Sequence, residues 1–165
     1  MTGDQVDTAD DDWRRDRAGT AAAGTNPTAL CRLTTGWAVI GDTQHLPGYC
    51  VLIYDGAADQ LTDLPRPERI AFMADLVVLG EAVERACRAA DPAFRRINYE
   101  VLGNTWTHLH GHVHARYEWE PADLRAGLVY LYGAERTAPE HALDARHDDL
   151  RAAITAALGE ILAEG

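Results

Sequence analysis

Apolar residues recur along this chain with two different spacings, and each spacing predicts a different kind of element. Short apolar runs bounded by glycine, proline, asparagine or aspartate are typical of buried strands, whereas apolar residues repeated every three to four positions are typical of helices. The short runs predict five strands, over residues 37–40, 49–54, 97–102, 108–116 and 128–132. The longer repeats predict helices over residues 13–23, 67–90 and 139–163.

The connection between the third and fourth predicted strands determines the class of sheet. Residues 103–107 alone separate these strands, and a parallel crossover needs a dozen residues or more. The two strands are therefore predicted to form an antiparallel hairpin. Together with the helices, this predicts an α+β protein with an antiparallel sheet of about five strands, helices packed on it, and a C-terminal helix.

The chain is predicted to contain one domain, over residues 13–165, because its length is ordinary for a single domain. Residues 1–12 contain five aspartates and no apolar run, so we expect a disordered acidic tail and not a signal peptide. No apolar run approaches the roughly 20 residues that span a bilayer. The cysteines at 31, 50 and 87 are dispersed, with no C-x-x-C pair. We therefore expect a cytoplasmic protein without a membrane partner.

The charge balance limits the classes of ligand. The formal net charge is −11, and all 15 basic residues are arginine. Nucleic-acid binding requires a clustered basic patch, so no nucleic-acid partner is expected, although single arginines can still bind a small phosphate ligand. Because the chain contains no lysine, lysine nucleophiles and Schiff-base chemistry are excluded.

Four of the seven histidines lie at alternate positions within seven residues, at His108, His110, His112 and His114. On a strand, alternate side chains point to the same face, so this spacing predicts a row of imidazoles. Three interpretations compete. The run is a polar strand face, a metal site, or a nucleophilic site at which a neutral imidazole attacks phosphorus and forms a covalent phosphoramidate.

The segment Asn104-Thr105-Trp106-Thr107-His108-Leu109-His110-Gly111-His112-Val113 resembles the signature of the histidine triad (HIT) superfamily. The flanking residues 98–104 and 116–117 resemble its diadenosine polyphosphate hydrolase-like branch. Residues 41–49 resemble the segment of that family that faces the nucleoside. The resemblance spans about residues 30–132 and implies a HIT-like fold.

The resemblance also implies a mechanism and a set of roles. His110 would be the nucleophile, and His108 and His112 would orient the phosphate and assist charge and proton transfer. The protein would then be a hydrolase that cleaves a phosphoanhydride or phosphoramidate bond through a nucleotidyl-His110 intermediate and releases a nucleoside monophosphate. The residues that would contact the nucleotide are Asp42, Asn98, Asn104, Thr105 and Arg116.

Each of these contacts has a structural alternative. Asp42 could cap its loop, Asn98 could bridge strands, and Asn104 and Thr105 could simply form a turn. Four residues depart from the family pattern. Gly111 replaces a bulky apolar residue and is expected to open space behind the strand, and Tyr49 replaces a histidine. His114 and Ala115 stand where an apolar residue and a proline are common, and His114 is interpreted as an incidental surface residue in preference to a fourth functional imidazole.

The resemblance further implies an adenine nucleotide as the favoured ligand, and a homodimer formed through the helix over residues 67–90. No tightly bound cofactor or protein-bound metal is expected, although a divalent cation can accompany a polyphosphate substrate. The open alternatives are a HIT-type nucleotidyltransferase or phosphorylase, a metal-dependent enzyme that uses the four histidines, and a nucleotide-binding regulator without catalysis.

Overall fold

An antiparallel five-stranded sheet organises residues 12–165, which are the residues that the computed structural model describes. The strands are β1 (Ala29–Arg32), β2 (Gly36–Ile40), β3 (Cys50–Tyr54), β4 (Phe94–Glu100) and β5 (His110–Tyr117). Their order in the sheet is β1-β2-β3-β5-β4, and every neighbouring pair is antiparallel. The predicted class and the β4–β5 hairpin are confirmed. The predicted acidic tail lies outside the described residues, except for Asp12.

The helices divide into two long ones that cover the sheet and shorter ones in its connections. They are α1 (Arg17–Ala22), α2 (Arg66–Ala90), α3 (Ala122–Arg125) and α4 (Asp148–Glu164). The connections also contain 3-10 helices, among them Asp12–Arg14, Val129–Thr137, Pro139–His141 and Ala145–His147. None of the helices within residues 12–165 is both long and apolar enough to cross a membrane.

The two faces of the sheet have different environments. On one face, alternate residues of β2, β3 and β5 such as Ile40, Leu52 and Val113 pack with α2 and α4 in the main core. On the other face, Val39, Val51 and Ile53 form a smaller apolar cluster. The side chains of the histidine run from His110 onward share this second face, because residues two apart on a strand point the same way.

The predicted strand over 128–132 is wrong, and the short strand β1 was not predicted. The segment forms the 3-10 helix Val129–Thr137, in which Val129 and Tyr132 are buried while Leu131 is 63% exposed. Burial at positions three apart fits the three residues per turn of a 3-10 helix. A short apolar run alone does not distinguish this helix from a strand.

Two helix predictions also need correction. Residues 13–23 contain a 3-10 turn and the short helix α1, and α4 begins at Asp148, after two 3-10 turns, rather than at Pro139. Within α4, the apolar residues Ile154, Ala157, Leu158 and Ile161 are buried at helical spacing. On α2, Ile70, Met73 and Val77 match the helical period, but their side chains are exposed.

Gly111 lies where α2 approaches β5 most closely. A Cβ atom at this position would come within 2.8 Å of Leu76 Cδ1 and 3.0 Å of Leu76 Cδ2. Leu76 is completely buried, so the expected open space behind the strand does not exist. The absence of a side chain at Gly111 is what lets Leu76 fill that volume.

We therefore predict that Gly111→Val destabilises the fold by about 1–3 kcal/mol, because overpacking a filled core forces side chains and backbone to shift. Urea unfolding followed by circular dichroism measures this change. The double variant Gly111→Val/Leu76→Ala should recover part of the loss. Gly159→Ala on α4 is the control, since a Cβ there meets nothing within 4 Å and should be neutral or stabilising. Equal stability of Gly111→Val and the wild type would contradict the packing argument.

Candidate active site

Strand β5 brings together three of the four histidines, and all eight of its residues are buried. His110 and His112 reach a cavity on the face of the sheet opposite α2. His114 lies further along the same face and is 1% exposed. His108 lies before the strand, where its ring stacks on Trp106 with centroids 5.3 Å apart. Its Nε2 atom is 2.7 Å from the carbonyl oxygen of Tyr54.

The hydrogen bond of His110 determines which of its ring nitrogens is protonated. Nδ1 lies 2.6 Å from the backbone carbonyl oxygen of His108. A carbonyl can only accept, so Nδ1 carries the proton and Nε2 of the neutral ring has a free lone pair. Burial, with smaller contributions from His108 and Arg17, lowers the pKa of His110. The neutral ring, which is the nucleophilic form, is therefore favoured at neutral pH.

His112 is oriented by Tyr49, whose hydroxyl oxygen is 2.8 Å from His112 Nδ1. Burial raises the pKa of Tyr49, so this side chain stays a phenol. Burial and the neighbouring His110 and Arg136 lower the pKa of His112 to about 4. The replacement of histidine by Tyr49 in the family pattern thus supplies a hydrogen-bond partner for the third imidazole of the run.

His114 is not the surface residue that was expected. Its ring stacks on Tyr49, with centroids 4.4 Å apart, and its Nε2 has no hydrogen-bond partner. Burial lowers the pKa of His114 to about 3, and burial also raises the pKa of Glu100, whose carboxylate oxygen is 3.6 Å from Nε2. Because desolvation favours the neutral form of each group, this contact does not act as an ion pair.

The cavity has a volume of about 650 Å³, which is within the range of small-molecule sites. One wall is apolar and consists of Val39, Val51 and Ile53 from the sheet. Opposite walls come from the loop after β2, the β4–β5 connection and the segment around the 3-10 helix Val129–Thr137. Lining residues from these walls are Asp42, Thr43, Tyr49, Asn104, Thr105, Trp106, Tyr130 and Arg136.

Three of the predicted nucleotide contacts line this cavity. Asn104 and Thr105 lie at its rim in the turn before β5. Asp42 lies in the loop after β2, and its carboxylate accepts hydrogen bonds from Arg17 at 3.1 and 2.6 Å. Asp42 therefore does not cap its own loop through these atoms but links α1 to the cavity wall.

The other two predicted contacts, Asn98 and Arg116, do not line the cavity. Arg116 is 2% exposed and donates to both carboxylate oxygens of the buried Glu120, to backbone carbonyls of α3 and its end, and to the Asn98 side chain. The Tyr132 hydroxyl donates to the same carboxylate at 2.8 Å. This network holds α3 and the following 3-10 helix against β5, so both residues occupy structural positions.

Among the lining residues that the sequence did not single out are four with charged or aromatic side chains. Arg17, Tyr130 and Arg136 fall in segments without a recognisable motif, and Trp106 lies within the histidine triad signature but was given no role there. The Arg136 guanidinium lies 4.7 Å from the centroid of the Tyr130 ring. The Trp106 ring lies 4.7 Å from that of His110. The histidine motif could not identify Arg17, Tyr130 and Arg136, because these residues lie outside it in the sequence.

Comparison with known proteins connects this geometry to one fold. No protein-family model matches the chain, and no curated protein sequence matches it significantly. Among solved structures, a histidine triad protein from Sinorhizobium meliloti superposes with a TM-score of 0.64 at 20% identity, covering 78% of this chain and 87% of that one. A zinc-bound histidine triad family protein from Mycobacterium smegmatis gives 0.57 at 18% identity, covering 90% and 97%.

A uridylyltransferase is also similar, with a TM-score of 0.52 at 17% identity, covering 90% of this chain and 47% of that one. The chain therefore has the HIT-like α+β fold that the histidine run predicted. At these identities the similarity establishes the fold, and the activity has to be argued from the site itself.

The buried imidazoles predict a loss of stability in acid. His112 and His114 have folded-state pKa values of about 4 and about 3, below the value of about 6.5 for an exposed histidine. As the pH falls from 6.5 toward 4, the unfolded chain binds protons that the folded chain does not, which favours unfolding. The raised pKa of Glu100 opposes part of this loss, because the folded state takes up that proton more readily.

We expect the free energy of unfolding to fall by about 2–4 kcal/mol between pH 7 and pH 5. Urea unfolding at both pH values measures it, and histidine ring resonances in NMR spectra report which rings gain protons. Protonation of both rings near pH 6.5 in the folded protein, with unchanged stability at pH 5, would show that they are not desolvated.

Proposed function

We propose that this protein belongs to the histidine triad superfamily and that it is an enzyme acting on nucleotides. We further propose that it cleaves a phosphoanhydride or phosphoramidate bond through a nucleotidyl intermediate on His110 and releases a nucleoside monophosphate. The observation that carries the proposal is the His110 ring, whose Nδ1 proton is bound to the His108 carbonyl at 2.6 Å while the ring lines a ligand-sized cavity. Its Nε2 lone pair is available for attack.

In the first step, Nε2 of His110 attacks the α-phosphorus and the bond from phosphorus to the leaving group breaks. A proton from a neighbouring imidazole or solvent neutralises the leaving group. In the second step, water attacks the same phosphorus, the P–N bond breaks, the electron pair returns to Nε2, and the water proton is released. Splitting one displacement into two lowers the barrier of each.

The charges around the cavity suit a phosphate that gains negative charge during the reaction. Two guanidinium groups, from Arg17 and Arg136, line it in a chain whose net charge is −11. We propose that Tyr49 donates its hydroxyl proton to His112 Nδ1, which leaves the Nε2–H of His112 to donate to a phosphate oxygen. Fixed donors of this kind stabilise developing charge without reorganisation.

The remaining walls suit a nucleoside. The carboxylate of Asp42 is an acceptor for two ribose hydroxyl groups, with Arg17 holding it in place. Val39, Val51 and Ile53 offer an apolar surface to a base. An adenine base and a diadenosine polyphosphate substrate are proposed from the resemblance of residues 98–117, and a cytoplasmic location belongs to the same proposal.

Nucleotidyl transfer is the second candidate activity. Nucleotidyl transfer has the same first step as hydrolysis and differs only in the group that accepts the nucleotide in the second step. The structural similarity to a uridylyltransferase is the observation that favours this candidate. A regulator that binds a nucleotide without turnover would need the same cavity but would not need the free Nε2 lone pair of His110. A divalent cation can accompany a polyphosphate substrate in either reaction by neutralising its charge.

The proposed nucleophile predicts that His110→Asn abolishes turnover of diadenosine polyphosphates and adenosine phosphoramidates. A rate loss of at least about 10³-fold is expected, since no other group can form the covalent intermediate. Mass spectrometry of the wild-type reaction, quenched rapidly in alkaline denaturant to preserve the acid-labile P–N bond, should detect a nucleoside monophosphate on His110. Full turnover by His110→Asn would refute the assignment, and turnover only with added acceptors would identify a transferase.

Two aspartate variants provide the binding control for this experiment. Asp42→Asn should raise KM while the adduct on His110 still forms. Asp55→Asn should change neither, because Asp55 pairs with Arg32 at the surface and does not line the cavity. Equal effects of the two variants on KM would contradict the proposal that Asp42 binds the ribose.

A homodimer through α2 is proposed from an exposed apolar strip. Ile70, Met73 and Val77 are spaced along one side of α2, and Tyr99 of the edge strand β4 lies beside them at Gly80. Their side chains are 64%, 38%, 55% and 45% exposed, respectively. A contiguous exposed apolar patch of this kind marks an association surface.

If this surface forms the dimer, Val77→Glu should shift the protein from dimer to monomer in sedimentation velocity, because it places a charge in an apolar interface. Leu162→Glu on α4, where Leu162 is 49% exposed, is the matched control and should leave the dimer intact. A wild-type monomer at micromolar concentration, or a Val77→Glu dimer, would contradict the proposed interface.

A further inference from the structure

Three ligand-type side chains converge outside the histidine run. Ligand atoms of His45, Glu135 and His141 all lie within 4.8 Å of one another. His45 comes from the loop after β2, Glu135 from the 3-10 helix Val129–Thr137, and His141 from the 3-10 helix Pro139–His141. Among the residues that the structure describes, no other group of three such side chains is gathered this closely.

One nitrogen of this cluster is buried without a hydrogen-bond partner in the part of the chain that the structure describes. His45 Nδ1 is buried and makes no hydrogen bond, although a buried polar atom normally has one. The His45 and His141 rings lie 4.9 Å apart, edge to face. An unpaired buried nitrogen beside an imidazole and a carboxylate is a donor arrangement typical of metal sites.

We propose that His45, Glu135 and His141 bind a divalent transition-metal ion, with Zn²⁺ as the best fit. Two imidazole nitrogens and a carboxylate oxygen form a donor set that zinc accepts, with a water molecule in the fourth tetrahedral position. Tetrahedral zinc bonds of about 2.0–2.2 Å place ligand atoms roughly 3.3 Å apart. The ligand atoms must therefore move closer together to bind the ion, and the exposed Glu135 and half-buried His141 side chains are the ones with room to rotate.

The charges around the cluster are compatible with a cation. Glu135 contributes a carboxylate directly, and Glu120 adds negative charge nearby. The positive charge of Arg136 opposes the binding of a cation. Glu120 is already bound to Arg116 and is not a ligand.

The ion would fasten the segment that closes one side of the cavity. Gln44 N donates to the His141 carbonyl at 2.7 Å and Leu143 N donates to the Asp42 carbonyl at 2.8 Å, so the loop after β2 already contacts this segment. Arg136, which lies between Glu135 and His141 in the sequence, lines the cavity. The proposed role is therefore structural: the metal fixes Arg136 and Asp42 relative to each other.

The test measures metal binding by the full chain and does not depend on nucleotide turnover. Equilibrium dialysis against Zn²⁺ with elemental analysis should give one ion per chain, and Co²⁺ should give visible absorption bands of four-coordinate intensity. Loss of even an outer partner of a ligand costs about 10–100-fold in affinity, so His141→Ala and Glu135→Gln should each weaken binding by at least that factor. Thermal unfolding with and without Zn²⁺ should show stabilisation that both variants lose.

Two controls make the assignment specific. Glu140→Gln changes an exposed carboxylate of the same segment that is not in the cluster, and it should bind Zn²⁺ like the wild type. His110→Asn should also bind normally. The proposal is overturned if the wild type binds no stoichiometric Zn²⁺, or if His110→Asn abolishes binding while His141→Ala and Glu135→Gln retain it. Circular dichroism should confirm that His141→Ala and Glu135→Gln fold like the wild type.

Discussion

The site depends on the burial of β5 on both of its faces. Leu109, Gly111, Val113 and Ala115 face the core under α2, and His110, His112 and His114 therefore face the other way. A shift of register by one residue would exchange the two sets and bury three imidazoles in an apolar core. The packing of α2 against Gly111 is thus what fixes the direction of the catalytic candidates, before any ligand contributes.

The same burial determines the chemistry that these histidines offer. Taking an imidazole out of water disfavours its charged form, which is why the pKa values of His110, His112 and His114 are all lowered. A neutral ring is a nucleophile and a hydrogen-bond donor, whereas a protonated one is not a nucleophile. Lower stability in acid accompanies this arrangement, because the desolvated rings resist protonation only while the chain is folded.

The sequence could predict the central strands and the placement of His110 and His112, because histidines at every second position match the period of a strand and not that of a helix. The sequence could not show that Arg116 has a structural position. Arg116 follows the histidines and carries the positive charge that a phosphate needs, but in the folded chain it pairs with the buried carboxylate of Glu120. The sequence also could not find Arg17, because the contact with Asp42 joins residues 25 positions apart. Local patterns report period and composition, whereas these pairings are tertiary.

The segment 128–147 shows why the cavity wall is harder to predict than its floor. The floor is a sheet, in which hydrogen bonds and side-chain alternation fix every position. The wall is a series of 3-10 turns interrupted at Gly133, whose φ of 61° breaks the helix. Such turns hold their positions through a few long-range contacts, here the hydrogen bond of Tyr132 to Glu120 and the contact of Gln44 with His141. Substitutions at Tyr130 and Arg136 in this wall are therefore expected to change the shape and charge of the cavity while leaving the strand that carries His110 undisturbed.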